Sequence, residues 1–155
     1  MKNPGCDLMT SPLPEFEFCR AEKSDKKAIK RFYRQHSYSA SFMGLDSCYL
    51  VKDKQDIIAS VLYSQLLAEN RQSLLHALVV APDHRRLSIA ASLLDYSRTF
   101  HPLSVCFAAP ELAPLYLSNN FQLANLDQLS PLLARRYLQY IKAKPELAIF
   151  IRDIK

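Results

Sequence analysis

The chain has 155 residues, 49% of them apolar, which is enough for one domain with a sizeable core. Its net charge of +5 comes from lysines and arginines scattered along the sequence, with no basic run of the kind that marks a nucleic-acid tail. No apolar run approaches the ~20 residues of a membrane span and no basic-then-apolar leader opens the chain, so the expected location is the cytosol.

Met1 to Pro14, with three prolines and polar filler, reads as a loose leader before a single domain at 15–155. "EFEFCRA" (Glu15–Ala21) alternates apolar and polar residues and predicts a first strand. Ser24 or Asp25 caps a helix running to about His36, with Ala28, Ile29, Phe32 and Tyr33 on one face. The aromatic and polar stretch after it, including His36, Tyr38, Ser39, Ser41 and Phe42, predicts a loop or short helix that could line a site. "CYLVKDKQDIIASVLYSQLLA" divides at Asp53–Asp56 into two strands joined by a tight turn. "SLLHALVVAP" (Ser73–Pro82) is nearly continuous apolar sequence, as expected of a strand buried on both faces.

From about Arg86 to Phe100 the spacing becomes helical, with Ile89, Leu93, Leu94 and Ser97 inward. "LSVCFAAP" (Leu103–Pro110) predicts another buried strand, followed by a helix from Glu111 to about Asn119 and an extended "FQLANL". Ser130–Pro131 has the form of an N-cap with proline at the first helical position and opens a helix to about Lys142. "ELAIFIRDI" closes the chain as a strand. The order β-α-(α)-β-β-β-α-β-α-β-α-β, the bracketed helix being optional, predicts an α/β fold with a mixed, mostly antiparallel sheet and helices on both faces.

Cys6, Cys19, Cys48 and Cys106 are widely spaced with no CxxC pair, and Cys19, Cys48 and Cys106 lie in apolar runs, so they are expected to be buried thiols. The carboxylates and histidines show no metal-ligand spacing, and no metal is expected. His84 and His101 are expected at the surface.

The chemistry concentrates in "VVAPDHRRLSIAASLL" (Val79–Leu94). A buried strand feeding a helix through a short turn leaves the first helical N–H groups unpaired, and these, with the positive end of the helix dipole, form an anion site. Only Gly5 and Gly44 are glycines, so small residues must keep the backbone accessible, and here Ser88, Ala90, Ala91 and Ser92 do so beside Arg85 and Arg86. The sequence leaves two conformations open for Ser88, a left-handed one at a cost of about 1 kcal/mol or the first turn of the helix. The second is the expectation, because it is cheap for serine.

This stretch resembles the acetyl-CoA loop of the GNAT family of N-acetyltransferases, Q/R-x-x-G-x-G/A, with Arg85 first, Ser88 for the first glycine and Ala90 third. "ELAPLYLSNNF" (Glu111–Phe121) resembles a second motif of that family, a helical tyrosine followed by Gly-Phe, with Asn120 in place of glycine. Asparagine is the substitute best suited to a left-handed helix end. The resemblance implies a GNAT-like fold and transfer of an acetyl group from acetyl-CoA to a small-molecule or peptide amine. It implies that the amides of Arg86, Leu87, Ser88, Ile89, Ala90 and Ala91 bind the pyrophosphate. Leu78, Val79 and Val80 would then align the pantetheine arm, and Tyr116 would protonate the leaving thiolate.

His76, in "LHALVV", is similar to a histidine of the arylalkylamine N-acetyltransferase branch that helps deprotonate the amine, and Glu69 or a water chain could serve instead. Residue parity puts His76, Leu78 and Val80 on one face of the strand. The helix at 130–142 is longer than that family's usual connection, and its role as lid, dimer contact or structural element stays open. Two other functions remain open: an acyl-CoA sensor without catalysis, suggested by the missing glycines, and an acetyltransferase acting on charged tRNA.

Overall fold

In a computed structural model the described residues are 16–38, 46–65, 72–85 and 88–154. The leader, the loop from Ser39, Glu69, Arg86 and Leu87 lie outside them. The elements are β1 (Glu17–Arg20), α1 (Lys26–Gln35), β2 (Asp46–Asp53), β3 (Asp56–Gln65), β4 (Ser73–Val80), α2 (Ile89–Ser97), β5 (Leu103–Ala108), α3 (Ala113–Leu117), β6 (Gln122–Ala124), α4 (Pro131–Ala143) and β7 (Ala148–Asp153). The predicted order is borne out, and local signals account for it. Lys54 takes the left-handed turn position between β2 and β3, and the Ser130 hydroxyl accepts the Leu133 N–H at the start of α4, with Pro131 at the first helical position.

The strands form one sheet in the order β1-β2-β3-β4-β5-β7-β6. All neighbours are antiparallel except β4 and β5, which pair over only Ser73–Ser104, Leu74–Val105 and Leu75–Cys106. Beyond Leu75 the two strands diverge, while β4 stays bonded to β3 as far as Val80. One face of the sheet is covered by α2 and α3, through a core that includes Tyr49, Val61, Tyr63, Leu75, Leu93, Leu94, Cys106, Tyr116 and Phe150. On the other face α1 packs through Ile29, Phe32 and Tyr33 onto Leu50 and Leu62, and α4 packs through Leu133 onto Leu74, Val105 and Ile149. Among the described residues no helix is long and apolar enough to cross a membrane.

Two expectations fail here. β4 is not unbroken: Ala77 has φ 57° and the register against β3 shifts beside it. A bulge of this kind reverses the alternation of faces. His76 therefore stays on the α1/α4 face, paired with Leu62, whereas Leu78 and Val80 pack toward α2.

His101 is not at the surface but 4% exposed, and the neighbouring Phe100 is the outward residue. The imidazole hydrogen-bonds the Tyr49 hydroxyl at 2.8 Å and Ser73 Oγ at 3.0 Å, and stacks flat on Tyr63 at 4.1 Å. Burial, with the charges of Arg20 and Arg152, pushes its pKa down to about 4, so the ring is neutral at physiological pH. The thiols of Cys48 and Cys106 are buried as expected, and Cys19 is half-buried.

Candidate active site

The divergence of β4 from β5 opens a cleft through the sheet. On the β3 side, Val79 and Val80 pair with Ser60 and Ala59. On the β5 side, the ladder has already ended at Leu75. Leu78, Val79 and Val80 thus offer backbone groups along the cleft to which an extended amide-bearing chain could add as a strand.

α2 begins at the same end of β4. Its N-cap, Ser88, is left-handed at φ 59° and ψ 25°, and no side chain caps the helix. The expected helical Ser88 is thereby corrected: the chain must reverse sharply to bring α2 back over the sheet, and the left-handed position makes that reversal. The first intrahelical bond is Ser92 N–H to Ser88 carbonyl at 3.0 Å, so the N–H groups of Ile89, Ala90 and Ala91 point ahead of the helix. Ile89 is buried, which anchors the turn from below. Arg85 folds back, donating from Nε to the Val80 carbonyl at 3.1 Å, and so fastens the loop to the strand while keeping a cation at its mouth. A shallow depression continues from here between α2 and the end of α3, lined in part by Ala91, Ser92, Asn119 and Asn120. Because Ser88 carries the left-handed strain of about 1 kcal/mol, offset in part by the unfolded-state entropy of glycine, Ser88→Gly is expected to raise stability by about 0.5 kcal/mol without weakening anion binding. Thermal melts with and without acetyl-CoA check this.

Tyr116 stands on α3 over the cleft's closed end. Its ring stacks on Phe150 at 5.5 Å and meets Phe121 edge-on at 5.3 Å, and its phenol neighbours the thiol of Cys106, the last β5 residue paired with β4. Burial first, then the Cys106 thiol, push the phenol well above its ordinary pKa. It therefore holds its proton and can offer it as a hydrogen bond to a developing negative charge. Burial also keeps the Cys106 thiol protonated, at about 12. Asn120 has φ 74°, and the Phe121 N–H returns to the Tyr116 carbonyl at 3.1 Å. This left-handed termination of the helix is the one expected for asparagine there.

His76 lies at the same level on the opposite face, as the first β4 residue beyond the last pair with β5. Its Nε2 lies 2.8 Å from Ser64 Oγ, and the Ser64 hydroxyl donates to Asp46 Oδ1 at 2.8 Å. Burial lowers the His76 pKa, the Asp46 carboxylate opposes that and Arg136 on α4 adds to it.

A tyrosine of α1 also reaches the bulge, with a second beside it. The Tyr33 hydroxyl donates to the Ala77 carbonyl at 2.7 Å, and the Tyr38 ring lies against Tyr33 at 5.8 Å, its pKa raised by burial first and then by Cys106. His36 packs on Phe32 at 4.6 Å instead. Sequence reasoning missed Tyr33, Ser64 and Asp46. Tyr33 was read only as a core residue, and nothing local marked the other two. Among the described residues no cluster of three or more His, Cys, Asp or Glu side chains could hold a metal ion.

The model of the "Acetyltransferase (GNAT) family" matches residues 7–101. That span includes β4 and the start of α2 and ends before Tyr116. A search of curated proteins gave no match. Among solved structures, N-acetylglutamate synthase from Neisseria gonorrhoeae, complexed with coenzyme A and N-acetyl-glutamate, is similar with a TM-score of 0.69 at 12% identity. That likeness covers 94% of this chain but only 36% of the synthase. A GNAT-family acetyltransferase from Staphylococcus aureus has a TM-score of 0.62 at 15% identity, over 91% of this chain and 100% of its own. A ribosomal-protein-alanine N-acetyltransferase from Escherichia coli has a TM-score of 0.64 at 13% identity, over 91% of this chain and 95% of its own. At these identities the likeness is one of fold.

Proposed function

Because the chain belongs to the acetyltransferase (GNAT) family, as the match over residues 7–101 shows, we propose that it transfers an acetyl group from acetyl-CoA to a primary amine by direct attack. One observation carries the reading. The cleft where β4 leaves β5 has an uncapped, small-residue helix start at its mouth and a protonated tyrosine at its closed end.

In this reading the amides of Arg86 to Ala91 hold the pyrophosphate, with Arg85 supplying charge, and Leu78 to Val80 align the pantetheine amides. The thioester then lies at the level of Leu75 and Cys106, reached by Tyr116 from one face and by His76 from the other. An amine arriving as its ammonium on the α1/α4 face loses one proton to His76, and the freed electron pair on nitrogen attacks the thioester carbon. The acylated nitrogen then sheds its second proton, which ends on the sulfur. The carbon–sulfur bond breaks, and the electron pair left on sulfur is stabilised by the Tyr116 O–H. No covalent enzyme intermediate is needed.

The acceptor is an amine, either a small molecule or a peptide. Calorimetry with acetyl-CoA, combined with thiol release over a panel of primary amines, tests the proposal. Binding with turnover supports it, binding without turnover on any amine favours an acyl-CoA sensor, and absence of binding overturns both.

A further inference from the structure

The face opposite α2 carries a chain of contacts ending at His76, and its other two members, Asp46 and Ser64, have no part in the reaction as described. Asp46 on β2, Ser64 on β3 and His76 on β4 lie side by side across three neighbouring strands. The distances are 2.8 Å from Ser64 Oγ to Asp46 Oδ1 and 2.8 Å from Ser64 Oγ to His76 Nε2. A serine hydroxyl has one proton, and here it goes to the carboxylate. The serine oxygen can therefore only accept from His76, which places the imidazole proton on Nε2 and leaves Nδ1 as the lone-pair nitrogen.

We propose that Ser64 and Asp46 are positioning residues for His76, fixing its ring in the tautomer whose Nδ1 takes the proton of the attacking amine. This rests on the assignment of His76 as base in the proposed transfer. The step balances: the amine N–H pair remains on nitrogen and becomes the N–C bond, and the proton moves to Nδ1. The resulting imidazolium donates through Nε2 to Ser64, with the Asp46 charge behind it. Among the described residues, the groups acting on His76 are the carboxylate of Asp46 from β2, the neutral Ser64 from β3 and the guanidinium of Arg136 from α4. Asp46 and Arg136 act in opposite directions on an imidazole whose pKa burial lowers, the carboxylate favouring its protonated form and the guanidinium opposing it. Ser64, between Asp46 and His76, is itself 7% exposed, while those two are half-buried.

Nitrogen-15 spectroscopy of the imidazole in the full chain tests this without an acceptor. The proton is expected on Nε2 in the wild type, and Ser64→Ala is expected to give a mixture of tautomers. Asp46→Asn retains an acceptor for the serine but loses the charge, so the His76 titration midpoint is expected to fall further. A wild-type proton on Nδ1, or an unchanged midpoint in Asp46→Asn, overturns the proposal. With an amine that turns over, Ser64→Ala is expected to lower kcat about 10-fold at unchanged acetyl-CoA affinity, and Ser64→Thr to restore it. Wild-type kcat in Ser64→Ala together with a large loss in His76→Ala removes only the positioning role. Full activity in His76→Ala removes His76 as base and leaves the acetyl-CoA site standing.

Discussion

Tyr116→Phe is expected to lower kcat by at least about 100-fold, the range in which a positioned proton donor contributes, while acetyl-CoA affinity stays the same. The substitution removes one oxygen and keeps the ring, so the stacking on Phe150 and the edge contact with Phe121 remain. The group left behind is the Cys106 thiol, a weak hydrogen-bonding partner whose loss costs little in stability. Alcohol and thiolate chemistry sets the size of the effect. Without the phenol, the electron pair arriving on sulfur in the proposed reaction loses the donor that Tyr116 supplies, beside the buried side chains of Leu75, Phe121 and Phe150. A single-turnover assay of thiol release separates this loss from slow product release. Should the variant release thiol at the wild-type rate, Tyr116 is only a packing residue on α3.

Ala91→Glu is expected to move binding and stability in opposite directions. Ala91 is in the first turn of α2, partly exposed, beside the N–H groups assigned to the pyrophosphate. A carboxylate there meets the positive end of the helix dipole, which raises stability by about 0.3–1 kcal/mol. The same carboxylate competes with and repels a phosphate group for the same donors. Two charges close together at a protein surface interact by a few kcal/mol, so acetyl-CoA affinity is expected to fall on the order of 100-fold. Thermal melts and calorimetry on one preparation read both effects. A variant that is more stable yet binds acetyl-CoA as tightly as the wild type would place the pyrophosphate away from α2.

Much of the fold was legible because local periodicity and local chemistry agree along the chain. The amphipathic face of α1, the Ser130–Pro131 start of α4 and the turn at Asp53–Asp56 all act within a few residues, and each forms as its sequence indicates. The same holds for Asn120, whose left-handed φ of 74° is an intrinsic tolerance of that side chain. Ser88 was misjudged because its own preference runs the other way, and the route of α2 back over the sheet overrides it. His101 was misjudged for a similar reason. The polar residues around it suggest surface, but Tyr49, Ser73 and Tyr63 come from distant strands to satisfy and stack it.

The relay at His76 depends on registers that no local signal sets. Read from the Asp53–Asp56 pair, an unbroken β2–β3 hairpin brings Asp46 opposite Tyr63. The irregularity between Val51 and Lys52 moves the partner to Ser64, and the bulge at Ala77 then leaves His76 on the same face while sending Leu78 and Val80 to the other. A shift of one residue exchanges the two faces of a strand, so two small irregularities decide which side chains share the cleft.

By itself the sequence determined the order of elements, the small-residue helix start after β4, and the tyrosine and asparagine of α3, because those depend on contacts within a turn or a strand. Only the tertiary structure decided where β4 parts from β5, which face His76 occupies, and that Ser64 and Asp46 stand behind it. Those outcomes follow from strand register and from burial among residues far apart in the chain, and neither is encoded in any one segment.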